Sequence, residues 1–246
     1  MHVRHLIATK ANVTGCARKG VSEGVREPCS TSVSGMKVGD SVRYSLDHWD
    51  RQEWEPAMLH ACNAVDGTGK KRYPKKGVGD RFKSAIRDSM EVMAILGIPG
   101  IDLDKTRFPL RVRSDLPDKR PDVADVIYGI HRCSHGHGDE LPDGFELTPY
   151  KNRSGVHEYS FENETARFPA SVVLGLLAIA VFAPENVGQV VPTGYQLSWR
   201  DWVYPIGEWW GREQDFLDQM SGMEWIRVEM NWTDWWDDWE PIGGKR

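Results

Sequence analysis

Apolar residues recur along the chain in blocks whose spacing is mostly helical. Through WDRQEWEPAMLHACNAVDGTGKK, Trp54, Met58, Leu59, Cys62 and Val65 fall near a 3.6-residue period, and Pro56 is tolerated only close to a helix start. A first helix is therefore predicted over residues 54–71. RYPKKGVGD, with its proline and two glycines, predicts a loop. Phe82, Ile86, Met90, Met93 and Leu96 or its neighbour Ile95 then predict a second amphipathic helix, stopped by Gly97 and Pro99. Residues 98–120 carry Pro99, Pro109 and Pro117 among mixed residues and predict a long irregular connection with at most one short strand. Val123, Val126, Ile127 and Ile130 mark a third helix. It runs directly into HRCSHGHGDELPDG, where Gly136, Gly138 and Pro142 end it.

Farther on, FELTPY and HEYSFEN predict a short hairpin, and FPASVVLGLLAIAVFAPEN is apolar on every side, as a helix buried in the core would be. Beyond residue 190 the character changes. GYQLSW, WVYPIGEWW and WIRVEMNW predict strands, DFLDQM predicts a short helix, and nine of the eleven tryptophans lie here. The predicted fold is mainly α: residues 1–35, which show no period, form a disordered extension or reflect an upstream start. Residues 36–190 form a helical bundle, and residues 191–246 a small Trp-rich, acidic α/β addition packed on it.

A chain of 246 residues can bury a single core without disulfides or a structural metal. The longest apolar run, 170–183, is shorter than the roughly 20 residues a membrane-spanning helix needs, and the N-terminus lacks the apolar centre of a secretion signal. Cys16, Cys29, Cys62 and Cys133 form no CxxC pair, so neither a disulfide framework nor a cysteine zinc site is expected. These features predict a cytoplasmic protein that makes no use of a membrane and needs no cofactor.

The net charge of −5 hides an asymmetry along the chain. Lys70, Lys71, Arg72, Lys75, Lys76, Arg81, Lys83 and Arg87 are opposed within their run by Asp80 alone, whereas between Glu213 and Glu240 only Arg227 opposes the acids. The basic run is either a solvated face or a phosphate-binding surface, with Lys70, Lys71, Arg72 and Arg81 as the RNA-binding candidates. The acidic tryptophan segment is expected to pack, and to fold back over a basic surface.

The third helix ends in the residues best suited to chemistry. Arg132 and His137 are separated by Cys133, Ser134, His135 and Gly136. A guanidinium matches phosphate oxygens and stays cationic as charge builds on them. An imidazole titrates near neutrality and can take a proton from a ribose 2'-hydroxyl or give one to the leaving 5'-oxygen. Together they can cut RNA without a metal. One alternative is a purely structural helix C-terminus at which cations are favoured by the helix dipole. A metal site built from His131, His135 and His137 with Cys133, Asp139 and Glu140 nearby is a further one.

In this motif, in the acidic, apolar helix PDVADVIYGI before it, and in Asp66 with the KKRYP segment, residues 54–185 resemble the HEPN superfamily of helical bundles. The resemblance implies a metal-independent endoribonuclease in a defence or toxin–antitoxin setting. Arg132 would stabilise the transition state, and His137, or His135 in its place, would act as acid or base. It also implies a homodimer with a composite site and an antitoxin or other protein partner. Cys133 stands where the family more often has a polar residue, which favours the alternative of a non-catalytic HEPN-like module binding RNA, a nucleotide or a protein partner. A third reading is an interaction protein that uses the tryptophan-rich region as its contact surface. Walker-type, GxSxG, HExxH and GxGxxG motifs are absent from the sequence.

Overall fold

The computed structural model describes residues 7–10, 37–136, 145–149, 159–162, 165–237 and 239–242. Helices dominate. In chain order they are α1 (Val38–Asp50), α2 (Trp54–Arg72), α3 (Val78–Asp88), the short α4 (Met90–Val92), α5 (Val123–Gly136), α6 (Ser171–Phe182), α7 (Ile206–Trp209), α8 (Glu213–Met220) and α9 (Thr233–Trp236). Strand β1 (Ile7–Lys10) pairs antiparallel with β5 (Tyr195–Trp199), which pairs with β6 (Trp202–Pro205). A second sheet holds β2 (Phe145–Thr148), β3 (Ser160–Glu162) and β4 (Thr165–Pro169) in the order β2–β4–β3.

The core is built around α6, all of whose residues are buried, because an Ala/Val/Leu/Ile helix with no polar face can sit only between other elements. Its start is tied by Ser171, whose hydroxyl donates to the Gly97 carbonyl at 2.8 Å. Near its end, the amide of buried Asn186 donates to the Ala180 carbonyl at 2.7 Å, which satisfies one of the carbonyls that a helix terminus leaves open. On one side α6 meets a single π-helical turn, Met93–Gly97, that continues α4; a Cβ built on Gly175 would lie 2.7 Å from the Gly97 Cα. On another side lies α2, whose buried Ala57, Ala61, Ala64 and Gly69 let neighbouring helices come close. A Cβ on Gly69 would stand 2.7 Å from the Arg81 carbonyl oxygen, so that glycine sets the approach of α3.

Several elements differ from the sequence reading. Helix α1 was not predicted, yet Val38, Val42, Leu46 and Trp49 repeat at helical spacing and are buried against α2. Its start is capped by Asp40, which accepts from the Lys37 amide, and Gln52 adopts a left-handed φ of 61° just after its end. The single helix predicted through Leu96 is three pieces, because the Ser89 amide bonds the Ile86 carbonyl and the α-helical ladder breaks there. FELTPY and the strand of HEYSFEN do not form a hairpin: β2 runs parallel to β4 and β3 antiparallel to it. The alternation of buried Ala166 and Phe168 makes β4 the central strand. Residues 7–10 form β1 where no regular structure is predicted, held by the backbone of β5. The remainder of 1–36 lies outside the described residues. WIRVEMNW contributes one parallel bridge, Val228 to Ile101, in place of a strand. Among the described residues no helix is long and apolar enough to cross a membrane.

Candidate functional site

Four of the eight cations of the basic run, Arg72, Arg81, Lys83 and Arg87, pair with acids. Arg72 grips Glu185 through Nε (2.9 Å) and Nη2 (3.1 Å), with Glu213 at 3.6 Å and Asp88 at 3.5 Å. Burial alone would lower its pKa, but Glu185 and the other carboxylates raise it. Lys71 donates to Asn186 Oδ1 at 2.9 Å, and Arg81 forms a two-pronged pair with Asp66, both bonds 3.0 Å. Lys70 lies at the exposed end of α2 and, among the described residues, is drawn into no such arrangement. Lys71, Arg72 and Arg81 thus each have a partner within the fold: an asparagine for exposed Lys71, and carboxylates for Arg72 and Arg81.

Arg132 and His135 lie in the last turns of α5. His137 lies outside the described residues, as do the side chains of Arg132 and His135; the alternative metal set around His131 and Asp139 falls there too. Among the described residues, no group of three or more His, Cys, Asp or Glu is placed to hold a metal ion.

The start of the same helix carries a buried ionic network. Asp122 caps α5, accepting from the Asp125 amide at 2.9 Å. Lys83 Nζ, on α3, stands 3.0 Å from Asp125 Oδ1 and 3.0 Å from Asp115 Oδ1. Arg87 reaches Asp122 (2.7 Å), Asp115 (2.8 Å) and Asp125 (3.1 Å). Ser114 donates its hydroxyl to Asp125 Oδ2 at 2.7 Å. Asp125 is 1% exposed and Lys83 6%. Burial, with Asp122 alongside, pushes the Asp125 carboxyl above the usual carboxylate range. For Asp115 burial acts the same way, but hydrogen bonds from Arg87 and Lys83 outweigh it and hold that carboxyl well below the range. The α5 N-terminus adds favourable partial charge for Asp122 at its cap and Asp125 in its first turn.

Beside this network opens a pocket of about 410 Å³, walled by the first turns of α3 (Gly79, Asp80, Lys83), by Arg111, Val112, Arg113 and Asp115, and by Asp125, Tyr128 and Gly129 of α5. Gly79 and Gly129 bring the walls together: a Cβ on Gly79 would lie 2.9 Å from the Tyr128 hydroxyl oxygen, and one on Gly129 2.6 Å from Val112 Cγ1. The volume suits a small ligand, and the lining offers an aromatic face, one ammonium and two guanidinium groups among three carboxylates. None of these lining residues was singled out as a binding or catalytic candidate in the sequence, save that Lys83 belongs to the basic run. The one legible signal was Asp125, a charge inside the apolar run VADVI. Asp125, Tyr128 and Gly129 precede Arg132 by seven, four and three residues, spacings that repeat along one side of an α-helix.

The tryptophan-rich segment lies along the irregular connection that supplies the pocket's arginines. Val228 exchanges backbone bonds with Gly100 and Asp102 (3.0 Å each), and Trp239 Nε1 donates to the Leu110 carbonyl at 3.2 Å. The Arg120 guanidinium sits 4.5 Å from the Trp236 ring centre.

A family model described as Rv1289 matches residues 37–236, and the chain belongs to that family. The chain is 52% identical over 209 residues to the uncharacterized protein Rv1289 of Mycobacterium tuberculosis (strain ATCC 25618 / H37Rv), covering 85% of this chain and 99% of the relative. The same identity and coverage hold for the uncharacterized protein Mb1320 of Mycobacterium bovis. No solved structure matches the chain.

Proposed function

We propose that this member of the Rv1289 family is a HEPN-like helical module that binds a phosphate-bearing ligand of nucleotide size, inside the cell, in the pocket between α3, residues 111–115 and α5. The observation that carries this reading is the shared helix: the α5 residues lining the pocket and the Arg132 of the Arg-x4-His motif follow one another at helical spacing. Tyr128 would stack on a base, while Arg111, Arg113 and Arg132 would meet phosphate oxygens. The test is calorimetric titration of the protein with adenosine 5'-monophosphate beside adenosine, repeated with Arg113→Ala and Arg132→Ala. Binding of the monophosphate alone, weakened in both variants, supports the reading. Equal binding of nucleoside and nucleotide, or of variants and wild type, removes it.

The position of Arg132 in the last turns of α5 favours a second reading, a metal-independent endoribonuclease. On this reading Arg132 stabilises the pentacovalent phosphate, and His137 or His135 moves the proton of the 2'-hydroxyl, in a homodimer with two facing motifs. Incubation of a mixed RNA pool in EDTA tests it. Cutting to 2',3'-cyclic phosphate ends by the wild type, lost in Arg132→Ala and His137→Ala, supports catalysis; uncut RNA leaves the binding module.

A further inference from the structure

Residues 102–122 form no helix or strand, and much of their backbone bonding is local: Leu110 to Phe108 and Val112 to Leu110. Buried Leu103, Phe108 and Leu110 anchor this wall to the core and Asp115 ties its end to Lys83 and Arg87, but Arg111 and Arg113 stand on the stretch between. The segment Trp225–Trp239 crosses the wall and fastens it at spaced points. Arg227 ties the segment itself to α4, gripping Glu91 with both arms (2.7 and 2.6 Å); on the wall, the Met230 amide donates to Thr106 Oγ1 (3.2 Å), and Trp236 stacks under Arg120. The last point is the most telling. Trp239 Nε1 donates to the carbonyl of Leu110, the residue directly before Arg111. Trp239 is itself half-buried, its ring edge-on to that of Trp236 at 5.0 Å, so its position is set before it reaches the loop.

We propose that Trp239 is a positioning residue for the pocket: its indole N–H fixes the Leu110 peptide and so holds Arg111 and Arg113 where a phosphate would meet them. The proposal rests on the reading of the pocket as a phosphate site. It assigns the acidic, tryptophan-rich segment a function in binding rather than in packing alone. The segment acts at the backbone, so its carboxylates need not approach the ligand. Preorganising a loop in its bound arrangement raises affinity without adding a contact, because less ordering remains to be done on binding.

The test uses the full chain with Trp239→Phe, which keeps the ring and removes the donor. Amide hydrogen exchange over residues 108–114 is measured without ligand, and adenosine 5'-monophosphate affinity by calorimetry, with Arg113→Ala as reference. Expected are faster exchange in 108–114, monophosphate binding about three- to tenfold weaker, the worth of one hydrogen bond, and a melting temperature lowered by at most a few degrees. Unchanged exchange and affinity overturn the proposal, and tighter binding overturns it in favour of a segment that obstructs the pocket. If the wild type binds no monophosphate, the pocket reading fails on its own. The exchange arm still decides whether Trp239 orders the wall: faster exchange upholds that role, and unchanged exchange ends it.

Discussion

Replacing Lys83 with methionine tests the buried network that frames the pocket. The substitution keeps the aliphatic stem and removes a cation whose Nζ lies 3.0 Å from both Asp125 and Asp115. Two cations then face three carboxylates no longer; Arg87 alone is left against Asp115, Asp122 and Asp125. Breaking a buried ion pair by removing one partner costs about 3–5 kcal/mol. Arg87, 3.1 Å from Asp125, and the Ser114 hydroxyl at 2.7 Å remain, and Asp115 is partly exposed, which puts the loss near the lower end, about 3 kcal/mol.

The sign of the pH dependence follows from Asp125. Its folded-state carboxyl is already raised above the usual range by burial, and loss of Lys83 raises it further. Between the unfolded and the folded pKa the native state therefore holds more protons than the unfolded state, so stability rises as the pH falls through the folded value. Urea unfolding followed by tryptophan fluorescence at about pH 7.5 and about pH 5 measures both effects. The expected result is a loss of about 3 kcal/mol at the higher pH, partly recovered at the lower, and partly recovered at both in Lys83→Met/Asp125→Asn. A deficit under about 1 kcal/mol at neutral pH, or one that does not change with pH, refutes the account of the network.

Three further outcomes are expected. Gly175→Ala puts a Cβ 2.7 Å from the Gly97 Cα and the Met93 sulfur, and should lower stability by about 1–3 kcal/mol or more, whereas Gly207→Ala, with open space around it, should change little; thermal melts compare them. Burial pushes the Cys62 thiol far up, so a thiol reagent should leave it untouched until the protein unfolds, and reaction at native-state rates would contradict the packing of α2. Arg81→Gln should leave affinity for single-stranded RNA unaltered, since Arg81 is held by Asp66; a loss of affinity in a filter-binding assay would show that it reaches phosphate.

The elements legible in the sequence are those whose pattern is local and strong. Helix α2 was predicted as 54–71 and runs Trp54–Arg72, and α6 follows from an apolar run that only a core could accept. Helix α1 escaped because its four buried apolar residues are set among Asp40, Arg43, Asp47 and Asp50, and the period shows only once the buried side is known. The predicted hairpin failed for a different reason: the partner of FELT is TARFP, whose Phe168 and Pro169 the sequence pattern assigns to the apolar helix that follows, and a parallel pair leaves no turn signal between its strands. At the site, the helix carrying Arg132 was legible, while the pocket was not. Its walls come from three stretches of chain, and Lys83 meets Asp125 across 42 residues.

Charge is where the linear reading misleads most, and the physical reason bears on the ligand. A run of eight cations along one stretch of sequence suggests an RNA track, but affinity for a long strand comes from cations available to phosphate. Arg72 faces Glu185 and Glu213, Arg81 faces Asp66, and Lys83 and Arg87 face the three acids around the start of α5. Each pair already supplies the guanidinium or ammonium with the oxygen partners that a phosphate would offer, and displacing a part-buried carboxylate would leave that carboxylate desolvated and unpaired. A long strand would gain little from such a surface. A small ligand that enters the pocket instead meets Tyr128, Arg111 and Arg113 together, in a volume of about 410 Å³ that a long strand would not fit. Half of the cations that look basic in the sequence, all three arginines among them, are committed to carboxylates within the fold, and this is why the reading favoured above is a small phosphate-bearing ligand rather than an extended RNA.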